Sequence, residues 1–206
     1  MASNSKKSPP PTPRPLLLLL AAFAVALTLS AIGLGMLAKV KPGASVSAVG
    51  GPFALQTGDG RTITDRDMLG EPFLVFFGYT HCPDVCPTTL AQISQVLQAL
   101  GPETKLKVLF ITVDPERDTP RLMQQYAGSF GANVIGLSGD RAAIDKVMRE
   151  YRVYAQKVPE KKGEYSMDHS AVIYLMGRDG KFLHAFNIQR PPEDSAVELR
   201  RLLAAQ

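Results

Sequence analysis

A short apolar run followed by a pair of cysteines constrains the fold of this chain more than any other feature. The run Phe73–Phe77 contains no polar residue, which is typical of a strand buried on both faces of a sheet. The two cysteines of the sequence come soon after it, at Cys82 and Cys86. This spacing predicts that both sulfurs lie on one face of a helix, where they can bind a thiophilic metal ion or form a disulfide.

The pattern of elements around this motif predicts an α/β fold. A hairpin is expected around Gly58–Gly60, and the helix after the cysteines ends at Gly101–Pro102. The later predicted elements are strand Lys107–Val113, a helix capped by Thr119, strand Asn133–Leu137, a helix capped by Asp140, a polar insertion at Pro159–Glu164, strands Ala171–Leu175 and Phe182–Phe186, and a helix over Glu193–Leu203. This order favours a central mixed sheet flanked by helices.

A dithiol at the junction of the first long strand and its helix narrows the prediction to a thioredoxin-like fold. In such a fold the N-terminus of the helix favours the thiolate form of the first cysteine, because the helix dipole is positive there.

The N-terminal part of the chain is predicted to anchor it in a membrane. Residues 16–38 carry no charge, and an apolar helix of this length crosses a hydrocarbon core of about 30 Å. A cleaved signal peptide is the alternative, although its apolar core is usually about 7 to 15 residues long. Residues 1–15 are then a disordered cytoplasmic tail, 39–51 a tether, and 52–206 a single domain.

The charges beside this segment predict its orientation. Lys6, Lys7 and Arg14 precede it, and Lys39 and Lys41 follow it, which favours a cytoplasmic N-terminus. We therefore expect a single-pass protein of the inner (plasma) membrane with its C-terminal domain in the periplasm, and the mitochondrial inner membrane is the second choice. In an oxidising compartment a dithiol becomes a disulfide unless a metal ion or a reductant holds it.

The net charge of +4 gives no sign of nucleic-acid binding. Lys and Arg form no basic stripe, and segments such as Asp114–Asp118 mix both signs, which is typical of solvated surface.

A metal site built on the two thiolates needs a third ligand from the three histidines. His81 adjoins Cys82 and is interpreted as a loop residue, and His184 alternates with phenylalanines on a strand and is interpreted as structural. His169 follows a polar loop at the place that lies beside the dithiol in a thioredoxin-like fold. Two thiolates and one imidazole suit copper better than zinc, which usually takes a fourth protein ligand in structural sites.

Three sequence blocks resemble a known family. The blocks Phe77–Pro87, Val113–Pro120 and Asp168–Ser170, in this order and spacing, are similar to those of the Sco/SenC family of membrane-anchored copper proteins. The resemblance extends from about Gly51 to the end of the chain.

The resemblance implies a thioredoxin-like domain that binds one copper ion, Cu(I) or Cu(II), through Cys82, Cys86 and His169. It implies that the protein helps to load the binuclear copper centre of cytochrome c oxidase, with the copper-bearing subunit of the oxidase and other copper chaperones as partners. Asp114 matches an aspartate near the metal, and its alternative role is to shape a proline turn.

Two functions of different classes remain open from the residues. A metallochaperone passes copper by ligand exchange, breaks no substrate bond and is not an enzyme. A thiol-disulfide oxidoreductase attacks a partner disulfide with Cys82 and resolves the mixed disulfide with Cys86. A peroxide-reducing enzyme of the same fold needs an activating arginine, which the sequence does not identify.

Overall fold

The computed structural model describes residues 18–20, 23–28, 30, 49–104 and 106–205. The chain divides into two compact units, Met1–Val46 and Ser47–Gln206. The described residues of the first unit are helical and exposed, and in the described part of the chain no helix is both long and apolar enough to span a membrane. The predicted tail, and most of the predicted span and tether, lie outside the described residues.

The described part of the second unit is an α/β domain. Its strands are β1 (Ala54–Gln56), β2 (Thr62–Thr64), β3 (Phe73–Gly78), β4 (Lys107–Thr112), β5 (Val134–Leu137), β6 (Ala155–Pro159), β7 (Tyr165–His169), β8 (Ile173–Met176) and β9 (Phe182–Phe186). Its α-helices are α1 (Val85–Leu100), α2 (Pro120–Gly128), α3 (Arg141–Glu150) and α4 (Pro192–Ala204). Short 3-10 helices lie at Asp65–Met68 and Lys161–Gly163.

The central sheet is mixed, as the sequence predicts. Its strand order is β5-β4-β3-β8-β9, in which β3 and β5 are parallel to β4, and β8 is antiparallel to β3 and β9. Every residue of β3 is buried, which agrees with a central strand covered on both faces. The predicted hairpin around Gly58–Gly60 is confirmed, because β1 and β2 pair there in antiparallel register.

The helix ends follow the predicted caps. The Thr119 hydroxyl accepts a hydrogen bond from the Leu122 amide at 3.3 Å, and the Asp140 carboxylate accepts one from the Ala143 amide at 2.7 Å. Helix α1 ends at Gly101, whose φ of 99° is a left-handed conformation that glycine adopts easily. These three helix boundaries were therefore readable from the sequence.

The two cysteines do not share a helix face, and this prediction from their spacing was wrong. Helix α1 begins at Val85, so Cys86 is in its first turn whereas Cys82 lies in the preceding loop. The physical reason is Pro83, since the ring of a proline disfavours helical backbone at the residue before it.

The predicted polar insertion is the end of a second hairpin. Strands β6 and β7 pair in antiparallel register, with Ala155 opposite His169. At the turn Lys162 and Gly163 both have positive φ, 64° and 80°, which reverses the chain within a few residues. His169 is therefore the last residue of a strand rather than part of a loop.

Candidate metal centre

The candidate site lies where three segments meet at one edge of the central sheet. Strands β3 and β4 are parallel and end together at the paired residues Gly78 and Thr112. The loop that carries Cys82 follows β3, and β7 delivers His169 shortly before β8 begins. Since the start of β8 pairs with the later part of β3, through Ile173 and Phe76, the histidine reaches the same edge as the cysteines.

His169 lies against the buried cysteine with a defined tautomer. Its Nε2 is 3.7 Å from Cys86 Sγ, and its Nδ1 is 3.0 Å from the backbone carbonyl oxygen of Ser170. A carbonyl oxygen only accepts hydrogen bonds, so Nδ1 carries the proton and donates it to Ser170. Nε2 therefore presents a lone pair to the sulfur, which is how a metal-binding histidine is usually oriented.

Cys86 is enclosed by the core. Its side chain is 0% exposed, and burial raises the pKa of its thiol, while a backbone hydrogen bond with Tyr79 acts in the opposite direction. Apo Cys86 is therefore a protonated thiol at neutral pH, and it can donate its hydrogen to Nε2 of His169. A soft metal ion that binds here replaces that proton.

Cys82 is the accessible cysteine. It is partly exposed and, with His169, lines a cleft of about 290 Å³. Its sulfur accepts a hydrogen bond from the Cys86 amide at 3.4 Å, so one N–H group of the first turn of α1 points at this sulfur. Cys82 therefore lies beside the N-terminus of α1, as expected from the fold.

The three predicted ligands are neighbours, but they do not form a closed cluster. In the described ranges, no group of three or more His, Cys, Asp or Glu side chains is placed to hold a metal ion. Cys86 and His169 are in contact, whereas the Cys82 sulfur faces the helix amide in the same cleft. Two thiols and an imidazole with a free lone pair are nevertheless a donor set that fits a soft ion such as Cu(I).

The other two histidines have structural partners. Nδ1 of His81 is 3.0 Å from the Thr80 hydroxyl and 3.8 Å from the buried carboxylate of Asp118. Nε2 of His184, on β9, is 3.8 Å from the carboxylate of Glu198 on α4. Both placements agree with their interpretation from the sequence as residues outside the metal site.

The charged segment Asp114–Asp118 contains two buried carboxylates, so its assignment to solvated surface was wrong for both. Asp114 and Asp118 are each 0% exposed. Hydrogen bonds offset the free-energy cost of burying these carboxylates. Asp114 accepts from Arg117 and Tyr165 at 2.5 and 3.0 Å. Its predicted place beside the metal stays a prediction, and its backbone carbonyl also shapes the turn by accepting from the Asp118 amide at 2.9 Å.

Two residues that shape the site were missed from the sequence. A Cβ atom on Gly78 would lie 2.7 Å from Cys86 Sγ, so the absence of a side chain there makes room for the sulfur. The ring of Tyr79 packs edge-on against His169, with ring centroids 5.8 Å apart, and its hydroxyl accepts the Met167 amide hydrogen at 3.3 Å. The glycine that ends an otherwise apolar strand was the available signal for the first of these.

The fold and the site together define a class of protein: an α/β domain with a dithiol and an imidazole at the edge of a thioredoxin-like sheet. The chain belongs to the SCO1/SenC family, whose model matches residues 41–204. This confirms the family suggested by the three sequence blocks.

Several relatives show how far the similarity extends. The human mitochondrial SCO1 homolog is 44% identical over 155 residues, which cover 73% of this chain and 52% of that protein. The chain therefore spans about half the length of that curated relative. The structure of Bradyrhizobium japonicum ScoI with copper bound is 55% identical, with a TM-score of 0.72, over 76% of this chain and all of that one. Copper-bound yeast Sco1 is 30% identical, with a TM-score of 0.71, over 77% of this chain and 90% of that one.

Proposed function

We propose that this protein is a metallochaperone that holds one copper ion through Cys82, Cys86 and His169. It delivers the ion to the binuclear copper site of cytochrome c oxidase during assembly of the oxidase. Its partners are then the copper-bearing subunit of the oxidase and a second copper chaperone that supplies the ion. The copper-bound structures of ScoI and Sco1 support the choice of metal.

The observation that carries the proposal is the orientation of His169. The Ser170 carbonyl fixes the proton on Nδ1, and the free Nε2 faces Cys86 Sγ at 3.7 Å. In the metal-free protein the Nε2 lone pair accepts the hydrogen of the Cys86 thiol, and the same lone pair can bind a metal ion that replaces this hydrogen. Cys82 supplies the third donor from the same cleft.

The difference in exposure between the two cysteines suits transfer. Cys86 is fully buried and Cys82 is partly exposed, so an incoming ligand from a partner meets Cys82 and His169 at the cleft. A three-coordinate Cu(I) ion can accept such a ligand before it loses one of its own. Cys86 then holds the ion until the exchange is complete.

A transfer experiment tests this function. The chain is loaded with one equivalent of copper and mixed with the reduced, metal-free copper domain of the oxidase subunit, and the copper in each protein is measured after separation. We expect copper to move to the oxidase domain and His169→Ala to deliver much less. Retention of all copper by the chain under these conditions, while free copper enters the oxidase domain, contradicts the delivery function.

Thiol-disulfide exchange is the second candidate, and the helix N-terminus at Cys82 favours it. The Cys86 amide donates a hydrogen bond to Cys82 Sγ at 3.4 Å, and Cys82 is the cysteine that is exposed enough to attack a disulfide. This function predicts fast reduction of the oxidised oxidase domain by the copper-free chain. It also predicts that His169→Ala leaves the rate of that reduction nearly unchanged, which separates it from copper delivery.

The names of three relatives bear on the compartment. The human relative is mitochondrial by name, as are the Arabidopsis and mouse SCO1 homologs, which supports the mitochondrial inner membrane, the second choice from the sequence. The periplasm, the first choice, stays a prediction. In either compartment we propose that residues 16–38 anchor the domain to the membrane.

A further inference from the structure

We propose that Asp114 and Asp118 are positioning residues that set the placement of the cysteine loop relative to His169. The inference rests on the proposed function, because it concerns how the copper donors are held. Both carboxylates lie in the loop between β4 and α2, and both are fully buried. Each of them binds a different part of the site.

Asp118 holds the cysteine loop. Its carboxylate accepts hydrogen bonds from the backbone amide and the hydroxyl of Thr80, at 3.0 and 2.5 Å, and from the Thr112 hydroxyl at 2.7 Å. Thr80 lies two residues before Cys82, and the Cys82 amide closes the turn by donating to the Tyr79 carbonyl at 3.3 Å. Because a buried carboxylate is costly without these donors, Asp118 restricts where the turn can lie.

Asp114 holds the histidine strand. Its carboxylate accepts from the Tyr165 hydroxyl at 3.0 Å and from Arg117 Nε at 2.5 Å. Arg117 in turn donates from Nη1 to the Tyr165 carbonyl at 2.9 Å, and its guanidinium lies 3.7 Å from the centre of the Tyr165 ring. Tyr165 is the first residue of β7 and His169 is the last, so this cluster fixes the strand that presents the imidazole.

The contacts of Asp118 with the cysteine loop and of Asp114 with strand β7 are connected through a short, hydrogen-bonded loop. The Thr112 hydroxyl donates to the Asp118 carboxylate and accepts from the Asp114 amide at 2.9 Å. The Asp118 amide donates to the Asp114 carbonyl, also at 2.9 Å. One loop thus sets the distance between the thiols and the imidazole. Within it, Asp118 acts on the cysteine loop and Asp114 acts on the strand that carries His169. This predicts separable effects when each carboxylate is neutralised.

The experiment compares Asp118→Asn and Asp114→Asn in the full chain with the parent. Asp145→Asn is the matched control, because Asp145 is a half-exposed carboxylate on α3 that pairs with Arg141. One readout is the rate at which the reduced, copper-free protein reacts with a small aromatic disulfide, which reports on the cysteine loop. The other is nitrogen hyperfine coupling in the electron paramagnetic resonance spectrum of the Cu(II) form, which reports on the imidazole.

We expect both aspartate variants to bind copper about 10- to 100-fold more weakly, as is typical when groups that orient metal ligands are removed. Asp118→Asn should change the thiol reaction rate about tenfold or more and keep the nitrogen coupling. Asp114→Asn should keep the rate within about twofold and reduce the nitrogen coupling. These thresholds reflect the free-energy scale on which about 1.4 kcal/mol is a factor of ten.

Milder substitutions keep the inference testable if an aspartate variant fails to fold. Thr80→Val removes one donor to Asp118, and Tyr165→Phe removes one donor to Asp114, and each should reproduce the separate effect of its own side. Equal changes of both readouts in all variants, or no change in either, overturn the inference. If the parent protein binds copper, those outcomes do not affect the proposed function.

Failure of the proposed function is distinguishable from failure of this inference. If the parent binds no copper, the proposed function is wrong. The positioning roles are then decided by the thiol reaction rate and by the chemical shifts of the His169 imidazole. The expected result is still a change of the rate with Asp118→Asn and of the imidazole shifts with Asp114→Asn, and the same response in both variants overturns it.

Discussion

Replacing Gly78 by alanine tests the packing around the buried thiol. The added Cβ atom would lie 2.7 Å from Cys86 Sγ and 2.8 Å from Cε2 of Phe110, and ordinary contact begins at 3.4 Å. The sulfur must therefore move by about 0.7 Å, whereas metal–ligand distances tolerate only about 0.2 Å. Overpacking of this kind typically costs about 1–3 kcal/mol of the free energy of unfolding. We expect that loss in Gly78→Ala, together with copper binding weakened at least about tenfold.

Urea unfolding of the copper-free protein and competition with a copper chelator measure the two effects. Gly128→Ala is the matched control, because a Cβ atom at this glycine at the end of α2 meets no other atom within 4 Å. It should leave the free energy of unfolding unchanged or raise it by up to about 1 kcal/mol. An unchanged urea midpoint together with unchanged copper affinity in Gly78→Ala would refute the argument that Gly78 makes room for the sulfur.

Two further predictions concern stability. Because burial raises the pKa of the Cys86 thiol above its ordinary value of 9.0, the folded state holds this proton more tightly than the unfolded chain. Its contribution to the stability of the reduced apo protein is complete below pH 9.0 and is lost as the pH rises towards the folded pKa, by up to about 1.4 kcal/mol per pH unit. Between pH 8 and pH 10 the urea midpoint should therefore fall less in Cys86→Ala than in the parent. An equal fall in both proteins contradicts the raised pKa of the Cys86 thiol. Separately, Asp140→Ala should lower the free energy of unfolding by about 1 kcal/mol through loss of the α3 cap, whereas Asp140→Asn should lose much less.

The sequence carried enough local information to predict most of the fold. Helices α2 and α3 begin where Thr119 and Asp140 cap them, and α1 ends at Gly101. These are effects of a single turn of chain, so a sequence pattern records them. The continuous apolar run of β3 predicted a central strand for the same reason.

The hairpin of β6 and β7 could not be predicted in the same way. Most residues of β6 are exposed, so the strand shows no alternation of apolar and polar side chains. Its pairing with β7 supplies the backbone hydrogen bonds, which a sequence pattern does not record. The positive φ angles at Lys162 and Gly163 were signalled only by the glycine.

The candidate ligands were accessible from the sequence because two cysteines and three histidines leave few combinations. The residues that hold them were not. Asp118 accepts a hydrogen bond from Thr80, 38 positions away, and Asp114 accepts one from Tyr165, 51 positions away. In isolation both aspartates resemble surface charges, and their burial depends on partners that only the tertiary fold brings together.

The most direct test of the central claim is the copper content and the spectrum of the full chain, beside His169→Ala and Cys82→Ser. The reduced protein is titrated with Cu(I) and with Cu(II) in the presence of a competing chelator. We expect one tightly bound copper ion per chain, with a thiolate-to-copper charge-transfer band in the Cu(II) form. Cys82→Ser should abolish copper binding, and His169→Ala should weaken it strongly. Copper bound by His169→Ala as tightly as by the parent would contradict the assignment of this histidine as a ligand.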